Sequence, residues 1–163
     1  MVCIIFRFFE PIVKIQAGKY HSLFLTESGR LYSLGSNRFG QWGAPAYLHP
    51  IIEKPQEILL DGLKIKQMSA GNHHNLILSE EGKVYAFGSK SKGQIDGKID
   101  DGREEQWGIM EIELPSNSKV VKVQASNIRS WAHLENGEIW FWGGYFYVRI
   151  IFYNKFFRKK KGN

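Results

Sequence analysis

The sequence repeats itself at an interval of 53 residues, and this repetition restricts the folds that the chain can adopt. The recurring positions are four glycines, one histidine, one tyrosine and one glutamine, and they read Gly18, His21, Gly29, Tyr32, Gly35, Gly40 and Gln41, then Gly71, His74, Gly82, Tyr85, Gly88, Gly93 and Gln94. A partial third pass starts at Val120 and matches at Gly137, Trp140 and Gly143 with an offset of 55. Repeats of this length predict a propeller or a solenoid, in which each unit packs against copies of itself.

Each unit contains short runs of β-branched and aromatic residues bounded by glycine, a pattern typical of strands. Gly29, Gly82 and Gly137 each follow two polar residues and precede such a run, where a hairpin needs a residue that tolerates positive φ. The connection from Ala44 to Gly62 has room for at most one short helical turn, around Ile51 to Leu60. We therefore predict a mostly β chain.

Apolar strand residues are expected to fill the space between neighbouring sheets, because a single four-stranded sheet cannot cover its own faces. The predicted core residues are Leu23, Leu25, Leu31, Leu34, Leu76, Leu78, Val84 and Phe87.

A longer motif carries a family resemblance. Residues Ile15 to Gln41 read Ile-x-Ala-Gly-x-x-His-Ser-Leu-x-Leu-Thr-x-x-Gly-x-Leu-Tyr-Ser-x-Gly-x-Asn-x-x-Gly-Gln, which resembles the repeat of the regulator of chromosome condensation family. The motif recurs from Met68 to Gln94 with Lys90 in place of the asparagine. It recurs more weakly from Val123 to Gly143, where Ser126 and Arg129 replace the glycine and the histidine.

The resemblance implies a seven-bladed β-propeller, of which this chain supplies only part. We expect an all-β, incomplete propeller of about three blades, each a four-stranded antiparallel sheet. The repeats would occupy residues 12–143, divided into 12–64, 65–119 and a truncated unit 120–143. Residues 1–11 would form an extension or an edge strand, and residues 144–163 an aromatic, basic tail outside the propeller.

Two and a half units cannot close a ring, and three explanations remain open. The chain is a fragment or a truncated gene model, or an arc completed by another chain, or an open array that stacks on itself; the first is favoured. The residues after Gly143 are mostly Phe, Tyr, Ile, Asn and Lys, which AT-rich non-coding DNA also encodes. A retained intron or a misplaced exon end would explain the break in the repeat.

The formal charge of +6 lies in the tail. Residues 149–163 contain six basic side chains and no acid, whereas residues 1–148 contain equal numbers of acids and bases. The charge therefore gives no support to chromatin binding by the repeats. Residues 140–157 are apolar enough to suggest membrane contact, but Arg149 disfavours a span. Cys3 is the single cysteine, so no disulfide is expected, which fits a cytoplasmic or nuclear protein.

No catalytic motif, cofactor or metal site is expected from the sequence. His21 and His74 recur once per unit, which favours a structural role such as a hydrogen bond to a neighbouring backbone group. The segments Gly35 to Gly40 and Gly88 to Gly93 have the glycine spacing of a phosphate loop but lack its lysine and hydroxyl. The glycines Gly18, Gly29, Gly35, Gly71, Gly82, Gly88, Gly137 and Gly143 are likewise assigned to blade architecture.

Partner binding is predicted in the segment from Ile95 to Ser118, where extra residues separate two repeats. The candidate patch comprises Asp100, Asp101, Arg103, Glu104, Glu105 and Trp107. The resemblance implies a protein-interaction scaffold, with guanine nucleotide exchange on a Ran-like small GTPase or chromatin association as narrower expectations. The alternative is an inactive fragment of a larger protein, whose propeller recruits substrates for a fused ubiquitin-ligase or kinase domain.

Overall fold

The computed structural model describes residues 10–98 and 108–144, and the backbone of a strand at 146–151. Within these ranges the chain forms three four-stranded antiparallel sheets, and the strands of each sheet follow one another in sequence order. The expected all-β, partial propeller is confirmed.

The first sheet contains β1 (Ile12–Ala17), β2 (His21–Thr26), β3 (Leu31–Ser36) and β4 (Ile51–Ile58). The sequence left room for a short helical turn around Ile51 to Leu60, but this segment forms the strand β4 instead. Ile52 and Ile58 are buried at the two ends of β4, whereas most of the residues between them are exposed. β4 lies at the edge of the sheet, where Pro55 can be accommodated.

The second sheet lies between the other two. It contains β5 (Ile65–Ala70), β6 (His74–Ser79), β7 (Val84–Gly88) and β8 (Met110–Ile112). All six residues of β6 are buried, as expected for a strand whose two faces are both covered by neighbouring sheets.

The third sheet contains β9 (Val120–Ser126), β10 (Arg129–Leu134), β11 (Glu138–Gly143) and β12 (Phe146–Ile151). The sequence predicted that residues 144–163 lie outside the propeller, but residues 146–151 form strand β12 of the third sheet. This strand pairs antiparallel with β11, from Glu138 opposite Ile151 to Gly143 opposite Phe146. Its aromatic and β-branched residues favour strand formation, and pairing satisfies a backbone edge that β11 would otherwise expose.

One core cluster lies between the first and second sheets, and another between the second and third. The first cluster contains Leu23, Leu25, Leu31, Ile58, Met68, Ile77 and Phe87. The second includes Leu76, Leu78, Val84, Ala86, Val123, Ala132, Leu134, Trp140 and Trp142. Seven of the eight predicted core residues are therefore buried. Leu34 is only half-buried, because it lies on the face of the first sheet that no described sheet covers.

Polar side chains also join the second and third sheets. Gln67 on β5 bonds to both backbone groups of Val123 on β9, accepting from N at 3.0 Å and donating to O at 2.8 Å. The hydroxyl of Ser69 accepts a hydrogen bond from the backbone N–H of Ala125 at 2.9 Å. These side-chain hydrogen bonds link β5 to β9, which belong to different sheets and do not pair through their main chains.

Candidate partner-binding surface

The two repeated histidines each join one sheet to the next. Nε2 of His21 lies 2.7 Å from Oδ1 of Asn75 on β6, and Nε2 of His74 lies 3.0 Å from Oγ of Ser130 on β10. All four side chains are buried. The partner of each Nε2 is thus a side chain of the following sheet, and His74 also interacts with the backbone of Arg129, the kind of partner that the sequence suggested.

Asn75 and Ser130 occupy equivalent positions and each makes a second bond to a main-chain carbonyl. Asn75 Nδ2 donates to the oxygen of Gln41 at 3.0 Å, and Ser130 Oγ donates to the oxygen of Gln94 at 2.7 Å. This network places the ring hydrogen of each histidine on Nε2. The same three-part link therefore holds each pair of neighbouring sheets together.

Burial keeps the repeated histidines neutral near pH 7. Desolvation lowers the pKa of His74 from 6.5 to about 4 and also lowers the pKa of His21. A neutral ring can donate from Nε2 without placing a charge in the core. The histidines thus serve the architecture of the propeller.

The repeat glycines provide space and unusual backbone angles for this arrangement. A Cβ atom on Gly18 or Gly71 would overlap the ring of the histidine three residues later. The hairpin glycines have positive φ, as predicted, and these are Gly29, Gly82 and Gly137. Three more repeat glycines have positive φ and pass too close to a carbonyl oxygen to carry a side chain, and these are Gly35, Gly88 and Gly143.

The two longest connections between strands, β3–β4 and β7–β8, lie at the same end of the sheets. We call this end, which holds the β1–β2, β3–β4, β5–β6, β7–β8 and β9–β10 connections, the loop end. The opposite end, which holds the hairpins 27–30, 80–83 and 135–137, is the turn end. The β3–β4 and β7–β8 connections span residues 37–50 and 89–109, so the loop end has the greater capacity for binding.

The predicted patch belongs to the β7–β8 connection. Its members, Asp100, Asp101, Arg103, Glu104, Glu105 and Trp107, lie outside the described residues. The first part of this connection is fastened to the third sheet, since Trp142 Nε1 donates to the oxygens of Gln94 and Ile95 at 3.1 and 2.9 Å.

Two buried amides organise the β3–β4 connection. Asn37 donates from Nδ2 to the oxygen of His49 at 2.9 Å and accepts at Oδ1 from the N–H of Trp42, also at 2.9 Å. Gln41 Oε1 accepts from the N–H of Phe39 at 2.9 Å. Asn37 and Gln41 are fully buried, and Arg38 and Phe39 project to the surface between them.

An aromatic cluster lies where the loops of the first and second sheets meet. The ring centroid of His73 is 5.9 Å from that of Tyr20 and 4.9 Å from that of Phe39. With Arg38 and Ile51 these side chains line an open cavity of about 490 Å³, which we call the aromatic notch. The exposed fractions of Tyr20 and Phe39 are 60% and 45%.

Sequence reasoning did not identify the aromatic notch. Tyr20 corresponds to His73 in the second unit and to Ile128 in the third, and Phe39 corresponds to Lys92. The notch therefore departs from the repeat, whereas the structural histidines follow it. Comparing the units for residues that differ would have found these positions.

The described residues contain no group of three histidine, cysteine, aspartate or glutamate side chains that could hold a metal ion. In the same part of the chain, no helix has the length and apolarity needed to cross a membrane.

Comparison with known proteins gives consistent matches. The family described as Regulator of chromosome condensation (RCC1) repeat matches residues 12–41 and 65–94, and a second profile of the same description matches residues 28–78. The RCC1 domain-containing protein RUG3, mitochondrial, of Arabidopsis thaliana is 30% identical over 133 residues, which are 82% of this chain and 29% of that protein.

A yeast sequence and a solved yeast structure are also similar. The guanine nucleotide exchange factor SRM1 of Saccharomyces cerevisiae is 30% identical over 141 residues, covering 79% of this chain and 29% of that protein. The crystal structure of Prp20p from the same yeast, a protein described with binding properties to Gsp1p and histones, superposes with a TM-score of 0.66 at 28% identity. It covers 81% of this chain and 33% of the solved one. The chain thus spans about a third or less of the length of these relatives.

Proposed function

Because this chain belongs to the regulator of chromosome condensation repeat family, we propose that it acts as a protein-interaction scaffold whose loop end binds a protein partner. The observation that carries this proposal is the aromatic notch, where the rings of Tyr20 and Phe39 remain exposed although buried amides hold the β3–β4 connection. Exposed aromatic side chains on a rigid support are typical of binding hot spots. The proposal assigns no catalytic residue, metal or cofactor to the chain, and it places the protein in the cytoplasm or nucleus.

A narrower proposal is guanine nucleotide exchange on a Ran-like small GTPase. It is supported by the similarity of this chain to the yeast guanine nucleotide exchange factor SRM1 and to Prp20p, which is described as binding Gsp1p. In this case the loops would stabilise the nucleotide-free GTPase and would make or break no covalent bond. Chromatin association is supported by the same relative, which is also described as binding histones.

A second proposal uses the same surface differently. The blades would recruit substrates to a ubiquitin-ligase or kinase domain of the same polypeptide. It is compatible with the small share of the relatives' length that the chain spans. A partner that is modified only when such a domain is present would favour this alternative over simple scaffolding.

Site-specific photo-crosslinking tests the scaffold proposal. A photoreactive amino acid replaces Ser91 at the loop end or, as the matched control, Glu81 at the turn end; both positions are exposed. We expect defined protein adducts in cells from position 91 and none of the same adducts from position 81. Equal adducts at both ends, or none at position 91, would contradict the proposal.

Release of a fluorescent guanine nucleotide from a Ran-type GTPase tests the narrower activity. We expect faster release in the presence of the chain, and no acceleration by a chain with Phe39→Ala. An unchanged release rate with the unaltered chain rejects exchange, and the crosslinking result then decides the scaffold role alone.

A further inference from the structure

We propose that the aromatic notch binds an acidic segment of a protein partner, and that this segment inserts one aromatic or large aliphatic side chain into the cavity. This inference rests on the proposed function, because it names the ligand chemistry of the same loop end. It is carried by the fixed walls of the notch, its apolar lining and the two cations beside it.

Hydrogen bonds fix each wall of the notch. The oxygen of Tyr20 accepts from the N–H of Ser36 at 2.7 Å, and the N–H of Lys19 donates to the oxygen of Asn72 at 3.2 Å. The N–H of Phe39 is held by the buried side chain of Gln41, as described above. A preformed site loses little conformational entropy when a ligand binds, so even a short segment can gain affinity there.

The lining favours an apolar anchor. Tyr20, Phe39 and Ile51 present large apolar surfaces to the cavity, and Ile51 is 56% exposed. Burial lowers the pKa of His73, and the charge of Lys19 lowers it further, so the imidazole stays neutral near pH 7. An inserted aromatic or aliphatic side chain would therefore contact rings and methyl groups without displacing a charge.

The positive charge beside the notch favours acidic residues next to the anchor side chain of the partner. Arg38 lines the cavity, and Nζ of Lys19 lies 5.0 Å from the ring centroid of Tyr20. No acidic side chain lines this cavity among the described residues. Two salt bridges join Arg30 to Glu10 and Lys83 to Glu111, and both involve turn-end hairpins. Lys19 and Arg38 can therefore attract a negatively charged partner.

A protein segment fits these features better than a nucleic acid does. Nucleic-acid binding draws its affinity from several phosphates neutralised along a groove. The notch is instead a local apolar cavity bordered by two cations, which matches one anchor side chain and its acidic neighbours.

Fluorescence anisotropy with a labelled synthetic peptide tests the inference on the full chain. The probe is a short peptide in which aspartates and glutamates surround one phenylalanine. Two comparison peptides replace the phenylalanine with alanine or the acidic residues with lysines. Two further comparison probes are a single-stranded DNA and phosphatidylserine vesicles. We expect the acidic phenylalanine peptide to bind about tenfold more tightly than either altered peptide. Stronger binding of the DNA or the vesicles would overturn the inference.

Two variants in the notch and two outside it locate the site. Phe39→Ala and Arg38→Glu should each weaken the peptide about fivefold or more. The matched controls are Tyr47→Ala, an exposed aromatic of the same connection outside the cavity lining, and Lys64→Glu near the turn end. The controls should leave affinity unchanged. Equal losses in all four variants would contradict the site.

The crosslinking experiment separates this inference from the proposed function. If position 91 still captures a partner but the peptide fails to bind, only the notch assignment falls. If position 91 captures none as well, the scaffold proposal falls with it.

Discussion

His21 and Asn75 join two neighbouring sheets through a buried hydrogen bond of 2.7 Å between Nε2 and Oδ1. The same side chain of Asn75 donates to the carbonyl oxygen of Gln41, so one residue satisfies two groups of the preceding unit. His74 and Ser130 repeat the relationship one unit later. Recurrence at this spacing shows that sheet-to-sheet register is set by polar links as well as by the apolar core.

Replacing Asn75 with alanine should destabilise the chain strongly. The change leaves the ring of His21 and the carbonyl of Gln41 buried without their partner. An unpaired buried polar group costs about 1–3 kcal/mol, so we expect a loss of about 3 kcal/mol in the free energy of unfolding. Urea denaturation followed by tryptophan fluorescence measures it.

Asn75→Ser is the matched control, because a serine makes both bonds at the equivalent position 130. It should cost less than half as much as the alanine variant. Equal losses for the two variants would show that the hydrogen bonds contribute little.

Gly71→Ala tests the close approach between the repeat glycine and its histidine. The added methyl group would overlap the ring of His74. We expect a loss of about 2 kcal/mol from the resulting strain. Because the clash involves the ring, the double variant Gly71→Ala with His74→Ala should lose about 1 kcal/mol less than the sum of the two single changes.

Gly29→Ala serves as the comparison for this cycle. Gly29 has a φ of 88°, but no neighbouring atom lies within 4 Å of the place that an added methyl group would occupy. The cost of this substitution should therefore arise from backbone strain alone. Strict additivity of the Gly71 and His74 changes would contradict the steric explanation.

Stability should fall as the solution becomes acidic. Burial lowers the pKa of folded His74 from 6.5 to about 4, so the unfolded chain takes up the proton first. The stabilisation is complete above about pH 6.5 and is lost as the pH falls toward 4, by about 3 kcal/mol in all. His21 contributes in the same direction, since burial lowers its pKa too.

Unfolding free energies at about pH 7.5 and about pH 5 measure this loss. His74→Gln should flatten the dependence, because glutamine does not titrate, although its absolute stability will be lower. His133→Gln, at an exposed position on β10, should retain the full dependence. An unchanged pH dependence in His74→Gln would refute the assignment.

The repeat motif made the inner parts of each sheet predictable from sequence. Alternating apolar residues and hairpin glycines identify β2 and β3 and their counterparts, because their burial follows a local period. The outer strands β4, β8 and β12 were missed. These strands lie at sheet edges and depend on pairing with a neighbouring strand. Their sequences do not follow the repeat, since β4 contains Pro55 and the composition changes after Gly143.

The aromatic notch was missed for a different reason. Tyr20 and His73 stand 53 positions apart and meet only because their loops adjoin when the sheets pack. The predicted acidic patch instead relied on length and composition within one connection. Residues that every unit shares indicate architecture, and residues that break the pattern at a junction between units are better candidates for binding.

Trp142→Phe should destabilise the third sheet through two lost hydrogen bonds. The indole of Trp142 is fully buried and donates to the oxygens of Gln94 and Ile95 at the start of the β7–β8 connection. Phenylalanine retains most of the packing but leaves a void and no donor, so we expect a loss of about 2 kcal/mol. Trp131→Phe is the control, since Trp131 is 37% exposed and its ring makes a tilted contact with that of Phe141. It should cost about 0.5 kcal/mol. Thermal unfolding followed by circular dichroism compares the two variants, and a larger loss for Trp131→Phe would contradict the anchoring role of Trp142.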